Sequence, residues 1–227
     1  MRVLVAGRTG QLAIELLARL PHDGHEVVAL EAPELDLTDA ASIARAVERA
    51  APDAIVNAAA YTAVDRAESQ RDLAFAVNAT GAGLLAEAAA ARGLPFVHVS
   101  TDYVFAGDGG APYAEDAPTG PIGVYGETKL AGERAVLAAN PRSIILRTAW
   151  VCSPHGSNFV KTMLRVGQER ETVSVVADQH GAPTFAADLA DAIARILPRL
   201  ATAPAGDEAF GIFHLTGMPW TTWHGFA

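Results

Sequence analysis

Hydrophobic positions along the chain fall into two alternating kinds of run. Short β-branched runs predict strands, and longer Ala- and Leu-rich stretches with helical spacing predict helices. We predict strands at Arg2–Ala6, Glu26–Leu30, Ala54–Asn57, Phe96–Ser100, Ser143–Arg147, Val173–Val176 and Gly211–Leu215. We predict helices at Gln11–Leu20, Ala40–Ala50, Leu73–Ala91, Tyr125–Ala139, Asn158–Gln168 and Ala186–Leu200.

This alternation predicts the fold class. Nearly continuous apolar strands between helices indicate an α/β fold with a doubly wound, Rossmann-like parallel sheet that helices cover on both faces. Two loops, Ala106–Gly123 and Val151–Ser157, are longer than such connections need. Ligands of these folds bind at loops that follow the carboxyl ends of strands.

Composition narrows the possible partners. The chain has 227 residues and a formal net charge of -9, with no basic stripe, which argues against a nucleic-acid partner. Cys152 is the only cysteine, so no intrachain disulfide can form, as expected in the reducing cytoplasm. The first residues lack the pattern of a signal peptide, and no run of ~18 apolar residues predicts a membrane span.

A glycine-containing turn links the first strand to the first helix. Gly7 and Gly10, with Ala13 as the third small residue, give the spacing G-x-x-G-x-x-A. Glycines at this point let the backbone approach a pyrophosphate, and the helix N-terminus attracts its charge. The turn therefore suggests a dinucleotide, although a tight turn without a ligand has the same pattern.

Residues near the end of the second strand bear on the adenosine half of such a cofactor. Glu31 could accept a hydrogen bond from a ribose 2′-hydroxyl, which favours NADH, whereas Arg8 could hold a 2′-phosphate, which favours NADPH. Asp36 and Leu37 could contact adenine, or the segment could begin the next helix with Asp36, Thr38 or Asp39 as its cap. These alternatives stay open.

Tyr125 and Lys129 are spaced for proton transfer. In a helix, residues four apart share a face, so the ammonium of Lys129 could lie close to the phenol of Tyr125. A nearby cation lowers the pKa of a phenol towards working pH. Thr101, which follows a predicted strand, could donate to a substrate oxygen. The spacing alone is also typical of a surface helix.

Two further segments carry unusual polar or small residues. The segment from Asn57 to Thr62 ends the third strand with small residues that would let a flat cofactor lie against the sheet. Asn78 is polar inside an apolar helix, where it could mark a kink, face solvent or have a functional role.

The strand-end hydroxyl, tyrosine and lysine resemble the catalytic set of the short-chain dehydrogenase/reductases. The whole chain resembles more closely the dTDP-4-dehydrorhamnose reductase family, an extended branch of that class. The segments that carry the resemblance are Gly7–Leu12, Asn57–Asp65, Ser100–Phe105, Tyr125–Glu133, Leu146–Val151, Asp178–Thr184 and Thr221–His224.

The resemblance implies an enzyme that reduces the C4 ketone of dTDP-4-dehydro-β-L-rhamnose with NADPH or NADH. Tyr125 would donate the proton, Lys129 would hold the nicotinamide ribose and tune Tyr125, and Thr101 would bond the reacting oxygen. Thr101, Asp102 and Trp150 would contact the sugar. The cofactor would meet Gly7, Gly10, Gln11, Leu12, Glu31, Asp36, Leu37, Ala60, Tyr61, Thr62, Val99, Tyr125 and Lys129.

The resemblance also implies a domain division and possible partners. Residues 1–150 would form mainly the dinucleotide-binding domain, and residues 151–227 a substrate-binding part interleaved with the final strands. Family members continue beyond the Trp223-His224 segment, so the substrate pocket is expected to be incomplete at Ala227. A homodimer is possible, with no nucleic-acid or membrane partner.

The resemblance also bears on metal binding and on two alternative functions. Some relatives hold magnesium at a dimer contact: Glu15 matches one ligand, but Ala187 stands at the position of a second, so no metal site is predicted. The scaffold also resembles the dinucleotide-binding regulatory subunit of methionine adenosyltransferase. Sugar-nucleotide epimerases and dehydratases share the Thr, Tyr and Lys set.

Overall fold

A computed structural model describes all residues from Met1 to Ala227. Its central sheet has six parallel strands in the order β2-β1-β3-β4-β5-β9. These strands are β1 (Arg2–Ala6), β2 (Glu26–Leu30), β3 (Ala54–Asn57), β4 (Phe96–Thr101), β5 (Ser143–Thr148) and β9 (Gly211–His214). The Rossmann-like α/β class predicted from the sequence is confirmed.

Two-residue strands form the small pairings outside this sheet. They are β6 (Val151–Cys152) with β8 (Thr184–Phe185), and β7 (His180–Gly181) with β10 (Thr221–Thr222). The helices are α1 (Gln11–Arg19), α2 (Ala40–Ala50), α3 (Val64–Ala67), α4 (Arg71–Phe75), α5 (Ala82–Ala90), α6 (Val124–Ala139), α7 (Phe159–Glu169), α8 (Ala186–Thr202) and α9 (Trp223–Phe226).

Alternation of side chains along the strands builds two cores, one on each face of the sheet. Val3 and Val5 point into the core that α1 and α8 cover, whereas Leu4 and Ala6 point into the core that α2, α5 and α6 cover. Each fully buried Val or Leu contributes about 1.5–3 kcal/mol by leaving water. Strand β9 and helix α8, from the second part of the chain, therefore complete the sheet and one of its layers.

The predicted strand at Val173–Val176 is wrong. Residues 173 to 176 have no regular secondary structure, and Val173 and Val176 are 41% and 49% exposed. A strand needs a partner along its length, and here the only backbone pairing is His224 N–H donating to the Val176 carbonyl. The β-branched residues therefore indicated strand propensity without a sheet edge to join.

The helix predicted at Leu73–Ala91 is divided into α4, a π-helical segment (Ala76–Gly81) and α5. By length and composition alone, the combined stretch Arg71–Ala90 could span a membrane, although no such stretch was predicted from the sequence. Half of it is buried within the domain. Ala82, Leu85 and Ala86 lie in the second core, so the stretch packs as a core helix.

Candidate active site

The glycine turn lies where the sheet changes direction. From β1 the chain runs to β2 on one side and then to β3 on the other, so the carboxyl ends of β1 and β3 form the crevice in which such sheets bind ligands. Gly7 has φ +105°, which a residue with a side chain rarely adopts, and its backbone lies against Ala58 and Ala59 at the end of β3.

The turn fits a dinucleotide pyrophosphate. Gly10 is the N-cap of α1 and has no side-chain cap, so the first N–H groups of the helix remain available to an anion. A Cβ at Gly10 would meet no atom within 4 Å. Leu12 and Ala13 are buried behind the turn, at 8% and 1% exposure, so the third small residue serves helix–sheet packing.

Gln11 connects the turn to the second part of the chain. Its side-chain amide donates to the Val151 carbonyl at 3.4 Å and accepts from Asn158 at 2.8 Å. Asn158 also caps α7, so the loop after β6 is held beside the start of α1. The pyrophosphate contact predicted for Gln11 stays a prediction.

Glu31 is bound to the glycine turn itself. Its carboxylate accepts from the Arg8 N–H at 3.2 Å, the Thr9 N–H at 3.1 Å and the Thr9 hydroxyl at 3.0 Å. Burial raises the pKa of Glu31, but these hydrogen bonds outweigh it and leave the pKa below its ordinary value. The Arg8 guanidinium pairs with Glu34 at 3.2 Å. Both groups considered for the adenosine ribose therefore have partners within the protein.

Asp36 and Leu37 precede α2. Asp36 accepts from the N–H and the hydroxyl of Thr38, whereas Asp39 is the residue that caps the helix. Leu37 is 7% exposed and belongs to the second core. The adenine contacts predicted for Asp36 and Leu37 stay predictions.

Asn78 has a structural role, which decides among the possibilities left open by the sequence. It is 1% exposed in the π-helical segment, where its side chain bonds the Tyr61 N–H at 2.8 Å and the Tyr61 carbonyl at 3.0 Å. It also donates to the Thr128 hydroxyl on α6 at 3.0 Å. Asn78 thus fixes the Ala60–Thr62 loop, which is expected along the cofactor, relative to α6.

The structure brings Thr101, Tyr125 and Lys129 together at the same edge of the sheet. Thr101 is the last residue of β4, and Tyr125 and Lys129 occupy the first turns of α6. Burial raises the pKa of Tyr125 to about 12, while the neighbouring Thr101 hydroxyl acts in the opposite direction. The expectation that Lys129 lowers the pKa of Tyr125 is therefore wrong for this structure, because burial dominates.

Lys129 is directed towards β4. It is 2% exposed, and its Nζ donates to the Val99 carbonyl at 2.8 Å and lies 3.4 Å from Nε2 of His98. Burial lowers the pKa of Lys129 from 10.5 to about 8, and Glu133 partly opposes this. Val99, predicted near the nicotinamide, thus supplies the carbonyl that holds Lys129.

Asp102 and Tyr103, which follow Thr101, also lie at this edge of the sheet. Asp102 accepts from the Thr101 hydroxyl at 3.0 Å, and burial raises the pKa of its carboxyl. The Tyr103 ring packs edge-on against Tyr125, with ring centres 5.4 Å apart. Tyr103 was not predicted from the sequence to belong to the site. Its position within the segment Ser100–Phe105, which carries the family resemblance, was the signal that pointed to it.

A buried ion pair secures α6 against the sheet. Arg147 on β5 donates to both oxygens of Glu133 at 2.9 and 2.7 Å, and Ser100 on β4 donates to the same carboxylate. Arg147 also donates to the Glu115 carbonyl in the long loop before α6. This network sets the position of the helix that carries Tyr125 and Lys129.

Trp150 lies among the aromatic residues of the second part of the chain. Its φ of +47° is unusual for a bulky side chain and marks a strained position. The indole stacks on Trp223 with ring centres 3.5 Å apart and covers Gly181. Strain of this kind is found at functional sites, which supports the substrate contact predicted for Trp150.

No group of three or more His, Cys, Asp or Glu side chains is arranged to hold a metal ion. Glu15, which matches a magnesium ligand of some relatives, lies 3.8 Å from His155.

The parallel sheet, the glycine turn at its switch point and the Thr101, Tyr125 and Lys129 set define a dinucleotide-binding oxidoreductase of the short-chain dehydrogenase/reductase class. The family model described as the RmlD substrate binding domain matches residues 1–227. The chain therefore belongs to the dTDP-4-dehydrorhamnose reductase family, as its sequence predicts.

Individual relatives agree with this assignment. A dTDP-4-dehydrorhamnose reductase of Sinorhizobium fredii is 49% identical over 227 residues, which cover 100% of this chain and 76% of the relative. The crystal structure of a reductase from Clostridium acetobutylicum superposes with a TM-score of 0.93 at 38% identity, covering 100% of this chain and 78% of that one. A Bacillus anthracis reductase in complex with NADP gives 0.92 at 38% identity, covering 99% and 77%.

Proposed function

We propose that this protein reduces the C4 ketone of dTDP-4-dehydro-β-L-rhamnose to dTDP-L-rhamnose with NADPH or NADH, a step in cell-surface polysaccharide synthesis. The observation that carries the proposal is the convergence of Thr101, Tyr125 and Lys129 at the carboxyl edge of the sheet, in a chain 49% identical to a dTDP-4-dehydrorhamnose reductase. A dinucleotide cofactor is supported by the glycine turn and by the NADP complex of a relative.

The reduced nicotinamide supplies the hydride to C4 when it is bound. The turn from Gly7 to Leu12 would hold its pyrophosphate, and Glu31, Asp36 and Leu37 would surround its adenosine. Ala60, Tyr61, Thr62 and Val99 would line the rest of its length. Because Asn78 fixes the backbone of Tyr61 from both sides, that wall of the cleft is rigid before any ligand binds.

Tyr125 is the proposed general acid. Its pKa of about 12 keeps the phenol protonated throughout the neutral range, so it can give its proton to the oxygen that gains charge at C4. Thr101 would donate to the same oxygen and lower the energy of the developing charge. Lys129 would hold the nicotinamide ribose beside Tyr125.

We further propose that residues 151–227 form the substrate-binding part, with Asp102 and Trp150 contacting the sugar. The strained backbone of Trp150 supports this division, since strain of this kind is found at functional sites. A cytoplasmic location is in keeping with a single, buried cysteine, Cys152. A homodimer stays a prediction.

The decisive experiment compares Tyr125→Phe with Tyr113→Phe, a matched loss of one phenol in the long loop before α6. With NADPH and the 4-keto sugar nucleotide, Tyr125→Phe should lower kcat by about 10²–10⁴-fold because general acid catalysis is lost. NADPH binding, measured by fluorescence titration, should survive, because the aromatic ring and the other cofactor contacts remain. Tyr113→Phe should keep normal turnover.

Near-normal turnover by Tyr125→Phe would contradict the assignment of Tyr125 as the general acid. Dinucleotide binding without any ketone reduction by the full-length, unsubstituted protein would favour the regulatory-subunit alternative. NAD that stays bound through purification would favour an epimerase or dehydratase.

A further inference from the structure

A buried chain of three polar side chains lies behind the catalytic set, and the proposed reaction uses only its last member. Asn57 at the end of β3, His98 on β4 and Lys129 on α6 are exposed by 1%, 1% and 2%. Nδ2 of Asn57 is 3.1 Å from Nδ1 of His98, and Nε2 of His98 is 3.4 Å from Nζ of Lys129. The imidazole therefore connects the two other side chains.

The direction of these hydrogen bonds is set at Asn57. Its Oδ1 accepts from the Ala59 N–H at 3.2 Å, so its amide nitrogen must face His98. An amide nitrogen only donates, which makes Nδ1 of His98 an acceptor without a proton. Burial holds the pKa of His98 well below its usual value, so the ring is neutral. A neutral imidazole carries one N–H, and here it is on Nε2.

This tautomer directs an N–H at Lys129. An ammonium group has three N–H donors and no lone pair, so it would face the Nε2 proton of His98 without an acceptor between them. A neutral amine has a lone pair that can accept from Nε2 while one of its own N–H groups donates to the Val99 carbonyl at 2.8 Å. Only in the second case does each of the two close contacts of Lys129, with Nε2 of His98 and with the Val99 carbonyl, pair one donor with one acceptor.

We propose that His98 is a positioning residue that acts through Lys129: Asn57 holds the imidazole in the tautomer that donates from Nε2, and this donor favours the neutral amine over the ammonium. Lys129 can take up a proton fully only if the ring moves its own proton to Nδ1 and the Asn57 amide turns away from Ala59. Protonation of Lys129 and the tautomer of His98 are therefore coupled.

Few other charges compete for Lys129. Glu133, on α6, raises its pKa, but that carboxylate is bound by Arg147 and Ser100. Tyr125, also on α6, is neutral because burial raises its pKa to about 12. Asp102, which follows β4, is partly buried; burial raises the pKa of its carboxyl, and it accepts from Thr101. His98 is thus the nearest group whose proton position can favour one of the two protonation states of Lys129.

The inference rests on the proposed function only for the catalytic use of Lys129. The tautomer and the protonation state can be measured without turnover. An inactive protein with the expected tautomer would contradict the proposed function alone, and an active protein with the opposite tautomer would contradict this inference alone.

The chain itself makes the test practical, because Lys129 and Lys161 are its only lysines. Protein labelled with ¹³C in lysine and ¹⁵N in histidine would be titrated by NMR, with the exposed Lys161 as internal control. Lys129 should titrate below 10.5, the ordinary pKa of lysine. One pH unit above the Lys129 midpoint, the ¹⁵N shifts of His98 should show the proton on Nε2, and below that midpoint the signals should move with the same midpoint.

Assignment of the His98 signals comes from their loss in His98→Gln. A proton on Nδ1 above the Lys129 midpoint would overturn the proposal, and so would ¹⁵N signals that do not change across it.

A variant tests the origin of the tautomer. In Asn57→Asp the carboxylate cannot donate, so it should accept from Nδ1, move the ring proton there and free Nε2 for the ammonium. The Lys129 midpoint should then rise by about one pH unit or more, since a hydrogen bond to a charged group is worth about 1.5–3 kcal/mol. Lys161 should not shift. The new carboxylate at position 57 would raise the Lys129 midpoint by its charge alone, so the decisive observation is the tautomer of His98. A ring proton that stays on Nε2 in Asn57→Asp overturns the proposal.

Discussion

Lys129 combines nearly complete burial with the absence of an ion-pair partner. Burial takes water away from its ammonium form, and the single hydrogen bond to the Val99 carbonyl does not make up for that loss, so burial lowers the pKa of Lys129 to about 8. A depressed pKa in a basic group means that the unfolded chain binds protons more readily than the folded one. Folding stability must therefore rise as pH increases from about 8 towards 10.5, the ordinary pKa of lysine.

We predict that Lys129→Met removes this rise. Between pH 7 and pH 10 the stability of the unsubstituted protein should increase by about 2–3 kcal/mol relative to Lys129→Met, from the displacement of one pKa. Urea unfolding at several pH values measures the difference. Burial raises the pKa values of Tyr125 and Cys152 in both proteins, so these contributions cancel in the comparison. A constant difference across this range would contradict the pKa shift.

At the scale of elements, helix α6 depends on close contact with its neighbours. Gly126 and Gly132 have no side chain where the helix meets the carbonyl groups of Tyr103 and Asn78, and a Cβ at either position would collide with them. The same helix is tied to the sheet by Glu133 and Arg147. Its first turns present Tyr125 and Lys129, so its position decides the geometry of the site.

We predict that Gly132→Ala destabilises the protein by about 1–3 kcal/mol, because overpacking forces α6 away from the π-helical segment. Gly167→Ala is the matched control. Gly167 is exposed in α7, a Cβ there meets no atom within 4 Å, and alanine should stabilise that helix by about 0.5–1 kcal/mol. Thermal unfolding of the two variants gives both values. Equal effects would show that α6 tolerates displacement.

At the scale of the whole molecule, cofactor binding and folding are linked. A ligand that binds only the folded protein stabilises it by about 2.7 kcal/mol at 100 times its Kd. The glycine turn, the Ala60–Thr62 loop and β4 belong to different parts of the sheet edge. They form one binding surface only when the sheet is intact, so NADPH should stabilise the entire domain.

Gly10→Val tests that linkage. The side chain would enter open space in the free protein, and Gly10 has φ -69°, so intrinsic stability should be nearly unchanged. The stabilisation by NADPH should be lost, because the new methyl groups occupy the approach of the pyrophosphate to α1. Gly110→Val, at a position in the long loop that is equally open, should keep the full stabilisation. NADPH stabilisation retained in Gly10→Val would place the cofactor elsewhere.

Much of the architecture was predictable from local pattern. Strands β1 to β3 and helix α2 begin and end where the sequence predicts, because their apolar runs are bounded by turn and cap residues such as Gly7 and Asp39. The strand predicted at Val173–Val176 failed because strand formation needs a partner from elsewhere in the chain. The π-helical segment was not predicted either, because it accompanies hydrogen bonds of Asn78 with Tyr61 and Thr128, which are distant in the sequence.

The sequence by itself determined the fold class, through the periodicity of its apolar runs. It predicted the family, and Thr101, Tyr125 and Lys129 as the catalytic set, through the resemblance of short segments. Only the tertiary structure decided the electrostatic state of that set. Burial raises the pKa of Tyr125 and lowers that of Lys129, and the partners of Lys129 come from β4, some 30 residues earlier in the chain. Desolvation and hydrogen-bond direction arise from what surrounds a residue in space, which spacing along the chain does not record.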